Sequence, residues 1–149
     1  MGFFIGELMK ENNSNLLKVS FPTVFKENFY FECEDGWLHL IQEIAKFISD
    51  RTDNCQAAQV KEKFGTLRFY VDCGEGISEE VYKEIAEYIS AVERLSYYVC
   101  EDCGTKVDDN NRAKNTSYWI RNICITCKQK QDLQEEETMM RKAWKANNK

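Results

Sequence analysis

The sequence predicts an α+β fold: a small antiparallel sheet packed against two amphipathic helices, followed by a cysteine-built module and a helical tail. Three observations predict it. Apolar residues alternate with period two on either side of Gly65, and they recur with helical spacing over 37–50 and 79–96. Beyond residue 99 both patterns give way to two C-x-x-C pairs. The chain has 149 residues, 43% apolar and 30% charged, a composition that fits a folded domain with a small appendage and not a disordered chain. The predicted division is a domain over 1–98, a cysteine module over 99–128 and a charged helical tail over 129–149.

Residues 1–14 form a short opening segment in which Phe4, Ile5 and Leu8 share a helical face, broken by Asn12-Asn13-Ser14-Asn15. Phe21 precedes the single proline, Pro22, and is therefore extended. Phe21, Val24, Phe25, Phe29 and Phe31 anchor an irregular arm, and alternation around Tyr30 and Glu32 predicts a third strand within 27–33. Glu34-Asp35-Gly36 is a turn signal. Asp35 is placed to cap the helix that follows, whose stripe is Trp37, Leu40, Ile41, Ile44, Phe47 and Ile48.

Residues 56–71 read as a hairpin. Val60, Glu62 and Phe64 share one face of the first strand, and Leu67, Phe69 and Val71 one face of the second. Gly65 takes the turn, where a positive φ costs glycine little. After Gly74-Glu75-Gly76, Ser78 caps a helix over 79–96, with Glu79 and Glu80 at its positive end and a stripe of Val81, Ile85, Tyr88, Ile89, Val92 and Leu95. Tyr97, Tyr98 and Val99 join this helix to the cysteine module and are expected to seal the joint. The tail has good helix propensity but only a thin apolar stripe of Leu133, Met139, Met140 and Trp144, so it is expected either to pack loosely or to reach a partner.

Cys100 and Cys103 are separated by twenty residues from Cys124 and Cys127. Each C-x-x-C lets two thiolates converge on one ion, and two such pairs complete a tetrahedron of soft ligands of the kind Zn²⁺ favours. Gly104 suits the tight turn after Cys103. Four sulfurs leave no open coordination position, so the predicted Zn²⁺ ribbon or knuckle is structural, and the sparse apolar content around it (Val107, Tyr118, Trp119, Ile120, Ile123 and Ile125) needs the ion to hold together. Cys33, Cys55 and Cys73 read as buried or half-buried free thiols. Seven cysteines, an odd number, and an N-terminus without an export signal predict a reducing, cytoplasmic setting.

The net charge of -5 is uneven: residues 1–99 carry 10 basic and 17 acidic side chains, residues 100–149 carry 10 and 8. That balance excludes an extended polyanion-binding surface, and no apolar run has the length of a membrane span. The polar face of the hairpin nevertheless offers Lys61, Lys63, Arg68 and Tyr70, cations beside an aromatic, which suit phosphate or single-stranded nucleic acid. A catalytic reading would have to use Glu62, Asp35 or the lone histidine, His39, which falls off its helix's apolar stripe.

Three blocks together resemble a group of small phage, prophage and bacterial proteins: Phe31-Glu32-Cys33-Glu34-Asp35-Gly36-Trp37, then Gln59-Val60-Lys61-Glu62-Lys63-Phe64-Gly65-Thr66-Leu67-Arg68-Phe69-Tyr70, then the paired C-x-x-C with Trp119 before the second. The resemblance spans about 21–127, and 59–70 is its most specific part. It implies a compact α/β domain ending in a zinc module, brings no catalytic residue with it, and adds Trp37, Phe64 and Gly65 to the residues of interest. The expectation that follows is a non-enzymatic, zinc-containing accessory protein that binds a host or other partner protein. The alternatives are nucleic-acid or nucleotide binding on the hairpin face, and a small enzyme.

Overall fold

A computed structural model describes residues 8–115 and 120–148. The expected contributions of Phe4, Ile5, Tyr118 and Trp119 lie outside these residues. The elements are α1 (Glu11–Ser20), β1 (Phe31–Glu32), a single 3₁₀ turn (Asp35–Trp37), α2 (Leu38–Arg51), β2 (Cys55–Lys63), β3 (Thr66–Cys73), α3 (Glu79–Ser96) and α4 (Ile125–Asn147). The sheet packs against α2 and α3. Among the described residues no helix is long and apolar enough to cross a membrane.

The hairpin forms as its pattern predicts, with strand order β1-β2-β3 and Lys63 paired to Thr66 across a two-residue loop. Both loop residues have positive φ, Phe64 at 54° and Gly65 at 83°. Such a turn matches the twist of the strands it joins. Phe64 is therefore not a strand residue beside Val60 and Glu62; it sits at the tip, 70% exposed. Leu67 and Phe69 point into the core as expected. Between Ala57 and Gln59 a bulge shifts the register, so Ala57 and Cys55 face inward behind Val60. The third strand exists but is only two residues long and runs parallel to β2, Phe31 opposite Val60. The sheet is thus mixed and not wholly antiparallel: the chain reaches β1 from the arm and returns to β2 through α2. On the far side of β3, the N–H of Leu67 donates to Ser96 Oγ (2.8 Å) and that of Phe69 to Glu93 Oε2 (2.8 Å), both side chains of α3.

The arm anchors as predicted. Phe25 packs against Phe29, Phe31 and Phe69 with ring centroids 5.0–6.1 Å apart. α3 spans the predicted residues, with Ser78 Oγ accepting from the Val81 N–H; Ile85, Ile89 and Val92 are buried, whereas Leu95 is exposed. Two expectations fail at the N-terminal side. The run Asn12-Asn13-Ser14-Asn15 does not break a helix but lies within α1, where Ser14 is buried. Asp35 does not cap α2. Its Oδ1 accepts from the Lys10 N–H (2.9 Å) and Asn13 Nδ2 (2.8 Å), so it caps α1 from across the fold. A carboxylate at the positive end of α1 offsets the weak helix propensity of the asparagines.

Candidate metal centre

The four cysteines are brought together by three pieces of chain. Cys100 and Cys103 flank a tight turn in which the Gly104 N–H donates to Cys100 O, and Gly104 takes φ 81°, as expected for a glycine directly after the pair. Cys124 is the residue at which α4 begins, and Cys127 lies in its first turn. The tail helix therefore starts inside the module, four residues before its sequence pattern becomes clear. Val99 bridges to Lys106 and Arg112 to Cys124, closing the loop between the two pairs. Beneath these bridges Cys100, Val107, Ala113, Ile123, Cys124 and Cys127 form a small core of their own.

The four Sγ atoms all lie within 4.8 Å of one another. Cys100 and Cys127 are 3.8 Å apart, as are Cys103 and Cys124. A tetrahedral ion with metal–sulfur bonds of about 2.3 Å requires edges of about 3.8 Å. The residues fit the group. Cys100 Sγ also accepts the Cys124 N–H at 3.3 Å, and the start of α4 sets its partial positive charge beside the thiolates. Cys100, Cys124 and Cys127 are buried and Cys103 is exposed. The arrangement is that of a closed, structural metal site.

Around it lies a set of residues that sequence reasoning missed. Glu101, between the first two cysteines, is 2% exposed. Its backbone O accepts the Gly36 N–H at 2.6 Å, its backbone N–H donates to Asn122 O, and its Oε2 accepts the Glu34 N–H at 3.0 Å. Burial pushes its carboxyl up to about 7, against the opposing pull of Arg121, whose Nε is 3.5 Å from Oε1. Arg121 also holds Asp102 at 2.7 Å. Trp37 Nε1 donates to Val99 O (2.9 Å), and Asn122 Nδ2 to the carbonyls of Ser96 and Tyr97. The joint between domain and module is thus sealed by backbone carbonyls of 96–101. The rings of Tyr97 and Tyr98 stay exposed, Tyr97 carrying Arg112 over its face at 4.0 Å. The acid inside Cys100-Glu101-Asp102-Cys103 was the one visible signal.

The hairpin residues divide. Lys61 is the cross-strand partner of Arg68, and Gln59 of Tyr70, on the face opposite buried Leu67 and Phe69. With Lys63 at the turn they form one outward surface. From Tyr70 an open cleft of about 530 Å³ continues past Gln59 to Phe29, Tyr30 and Lys26. Glu32 and Asp72 bring negative charge to that cleft. Trp37 does not join this surface: it is completely buried in the core.

The three candidates for catalysis have structural engagements. Asp35 caps α1. His39 is exposed, with Nδ1 3.1 Å from Gln42 Oε1. Glu62 Oε2 accepts the Gly65 N–H at 2.8 Å, steadying the turn.

The remaining cysteines also divide. Cys33 is a buried free thiol as read from the sequence, and burial, helped by the charge of Glu101, raises its pKa well above the ordinary range. Cys55 and Cys73 are not free: they form a disulfide across β2 and β3.

Fold and site together define a class, a small mixed α+β fold with a C-terminal four-cysteine cluster of metal-site geometry. No protein-family model, curated protein or solved structure matches the chain.

Proposed function

We propose that the chain is a non-enzymatic accessory protein that carries one structural Zn²⁺ and binds a partner protein. Zinc is the ion that an all-thiolate tetrahedron favours, and a structural site of this kind contributes roughly 10–16 kcal/mol of apparent folding free energy. The observation that carries the binding reading is α4. It leaves the metal centre at Cys127, and every residue from Asp132 to Asn148 is exposed, including Leu133, Met139, Met140 and Trp144. A helix gains most of its stability from packing an apolar face, and a free-standing amphipathic helix is one of the ways a protein presents itself to a groove. The resemblance to phage and prophage proteins suggests a host protein as that partner and host cytoplasm as the setting, where the Cys55–Cys73 bridge would be open to reduction.

The test is capture from host lysate by the zinc-loaded chain and by the same chain with Leu133, Met140 and Trp144 changed to Ser. A stoichiometric partner held only by the unaltered chain supports the reading. Equal recovery by both removes α4 from it, and no recovery by either counts against partner binding altogether.

A second reading is favoured by the pairing of Lys61 with Arg68 beside Tyr70, with exposed Phe64 at the tip. Phosphates would meet the cations and bases would stack on the rings. Titration with labelled single and double strands at two salt concentrations tests it; absence of binding at low salt ends it for polymers.

A further inference from the structure

We infer that α4 pairs with α4 of a second copy of this chain, the two helices lying antiparallel. The inference rests on reading α4 as a docking element. It begins with spacing. Leu133, Glu137, Met140 and Trp144 follow one another at intervals of four, three and four, so on a helix they fall along one narrow stripe, the seam of a two-stranded coil. That spacing is its own mirror image. Reversing one helix sets Leu133 opposite Trp144 and Met140 opposite Glu137, and the two-fold axis makes each contact twice.

The charges obey the same mirror. Glu135, Glu136 and Glu137 precede the midpoint of the stripe; Arg141, Lys142 and Lys145 follow it. A parallel pair in register would set Glu137 directly against Glu137 of the other copy. Glu135 and Lys142 lie on the opposite side of the helix from the stripe and take no part; in the register fixed by Leu133 and Trp144 the antiparallel pair brings Glu137 beside Arg141 of the second copy. Two features, apolar spacing and charge order, therefore select the same partner, orientation and register. The seam is about 17 Å long at 1.5 Å per residue, so the dimer is weak and concentration-dependent.

Sedimentation equilibrium of the full-length, zinc-loaded chain from micromolar to millimolar concentration tests this, with Glu137→Arg, Arg141→Glu and the double exchange alongside. Zinc content of each variant shows that its fold is intact. The unaltered chain is expected to dimerise reversibly. Each single reversal should weaken the dimer roughly tenfold or more, since it turns two attractive contacts into two repulsive ones, and the double exchange should restore it. A monomer at every concentration overturns the inference, as does a dimer indifferent to the single reversals or not restored by the exchange. A monomeric chain that still captures another protein through α4 overturns self-pairing and leaves the broader reading standing. A dimer that captures nothing from lysate does the reverse to the host-partner part of that reading.

Discussion

Gly36→Ala should damage the metal module although it replaces no ligand. A Cβ at Gly36 would stand 2.1 Å from Cys100 O and 2.3 Å from Glu101 O, where real contacts essentially never fall under 3.0 Å. Both atoms belong to the backbone that carries the first metal ligand, so neither can swing aside as a side-chain end would. The chain must part by about 0.9 Å (3.0 less 2.1) at this point, and the hydrogen bond from the Gly36 N–H to Glu101 O goes with it. Overpacking of this kind costs about 1–3 kcal/mol and the lost bond about 0.5–1.5, against roughly 0.4–1 regained from a stiffer unfolded chain. At the middle of these ranges the net loss is about 2 kcal/mol, which for a domain of this size lowers Tm by roughly 4–8 °C. The assay is thermal unfolding of the zinc-loaded protein together with competition for zinc by a chromophoric chelator; both Tm and affinity should fall. Gly74→Ala is the control, because its Cβ would meet only the side-chain end of Asn54, at 3.1 Å. A Gly36→Ala protein with unchanged Tm and unchanged zinc affinity would refute the reasoning that the two parts of the chain are locked together here.

Elemental analysis of freshly purified protein should find one zinc per chain, and chelation or Cys100→Ser should open the segment between Cys103 and Cys124 to protease while lowering the Tm of the whole protein. Cys55→Ser should leave the zinc content as it is, because the Cys55–Cys73 bridge is separate from the centre; closing a sequence separation of 18, that bridge should add about 2–4 kcal/mol to the oxidised form, read as a drop in urea midpoint on substitution or reduction. Phe64→Asn should raise stability by about 1 kcal/mol, since asparagine accepts the left-handed conformation that the turn imposes on Phe64; an unchanged or lower urea midpoint would show that the ring does more at the tip than the exposed geometry indicates.

What could be read from the sequence was whatever repeats locally. Helical spacing gave α2 and α3 to within about a residue, alternation gave β2 and β3, and the two C-x-x-C pairs gave the four-cysteine cluster. What could not be read depended on a single irregularity or on a distant contact. The disulfide is the clearest case. Lys63 pairs with Thr66 and Gln59 with Tyr70; continued without a break, that ladder would set Cys55 opposite Gly74. The bulge between Ala57 and Gln59 moves the register by one and sets Cys55 opposite Cys73, and nothing in Ala57-Ala58 announces it. Asp35 has the chemistry of a capping residue and stands before α2, yet the helix end it serves is that of α1, brought to it by tertiary structure. Phe64 was counted into a strand because an aromatic at a positive φ is an unlooked-for turn residue. Gly36 gave only a turn signal; its closeness to Cys100 is a property of two segments more than sixty residues apart.

The placement of Ser96 and Glu93 against β3 has a consequence for how this protein behaves in a crowded solution. An outer strand whose amides are unoccupied is a template on which another chain can add, and a short mixed sheet with an apolar β3 would invite such growth. Here the N–H groups of Leu67 and Phe69 are already taken by side chains of α3. Growth from that side is blocked by a helix that is itself anchored in the core through Ile85, Ile89 and Val92, so the guard is not expected to leave its post without disturbing that core. Protection against fibril-like stacking is in this way tied to global stability and not to a separate gatekeeper residue.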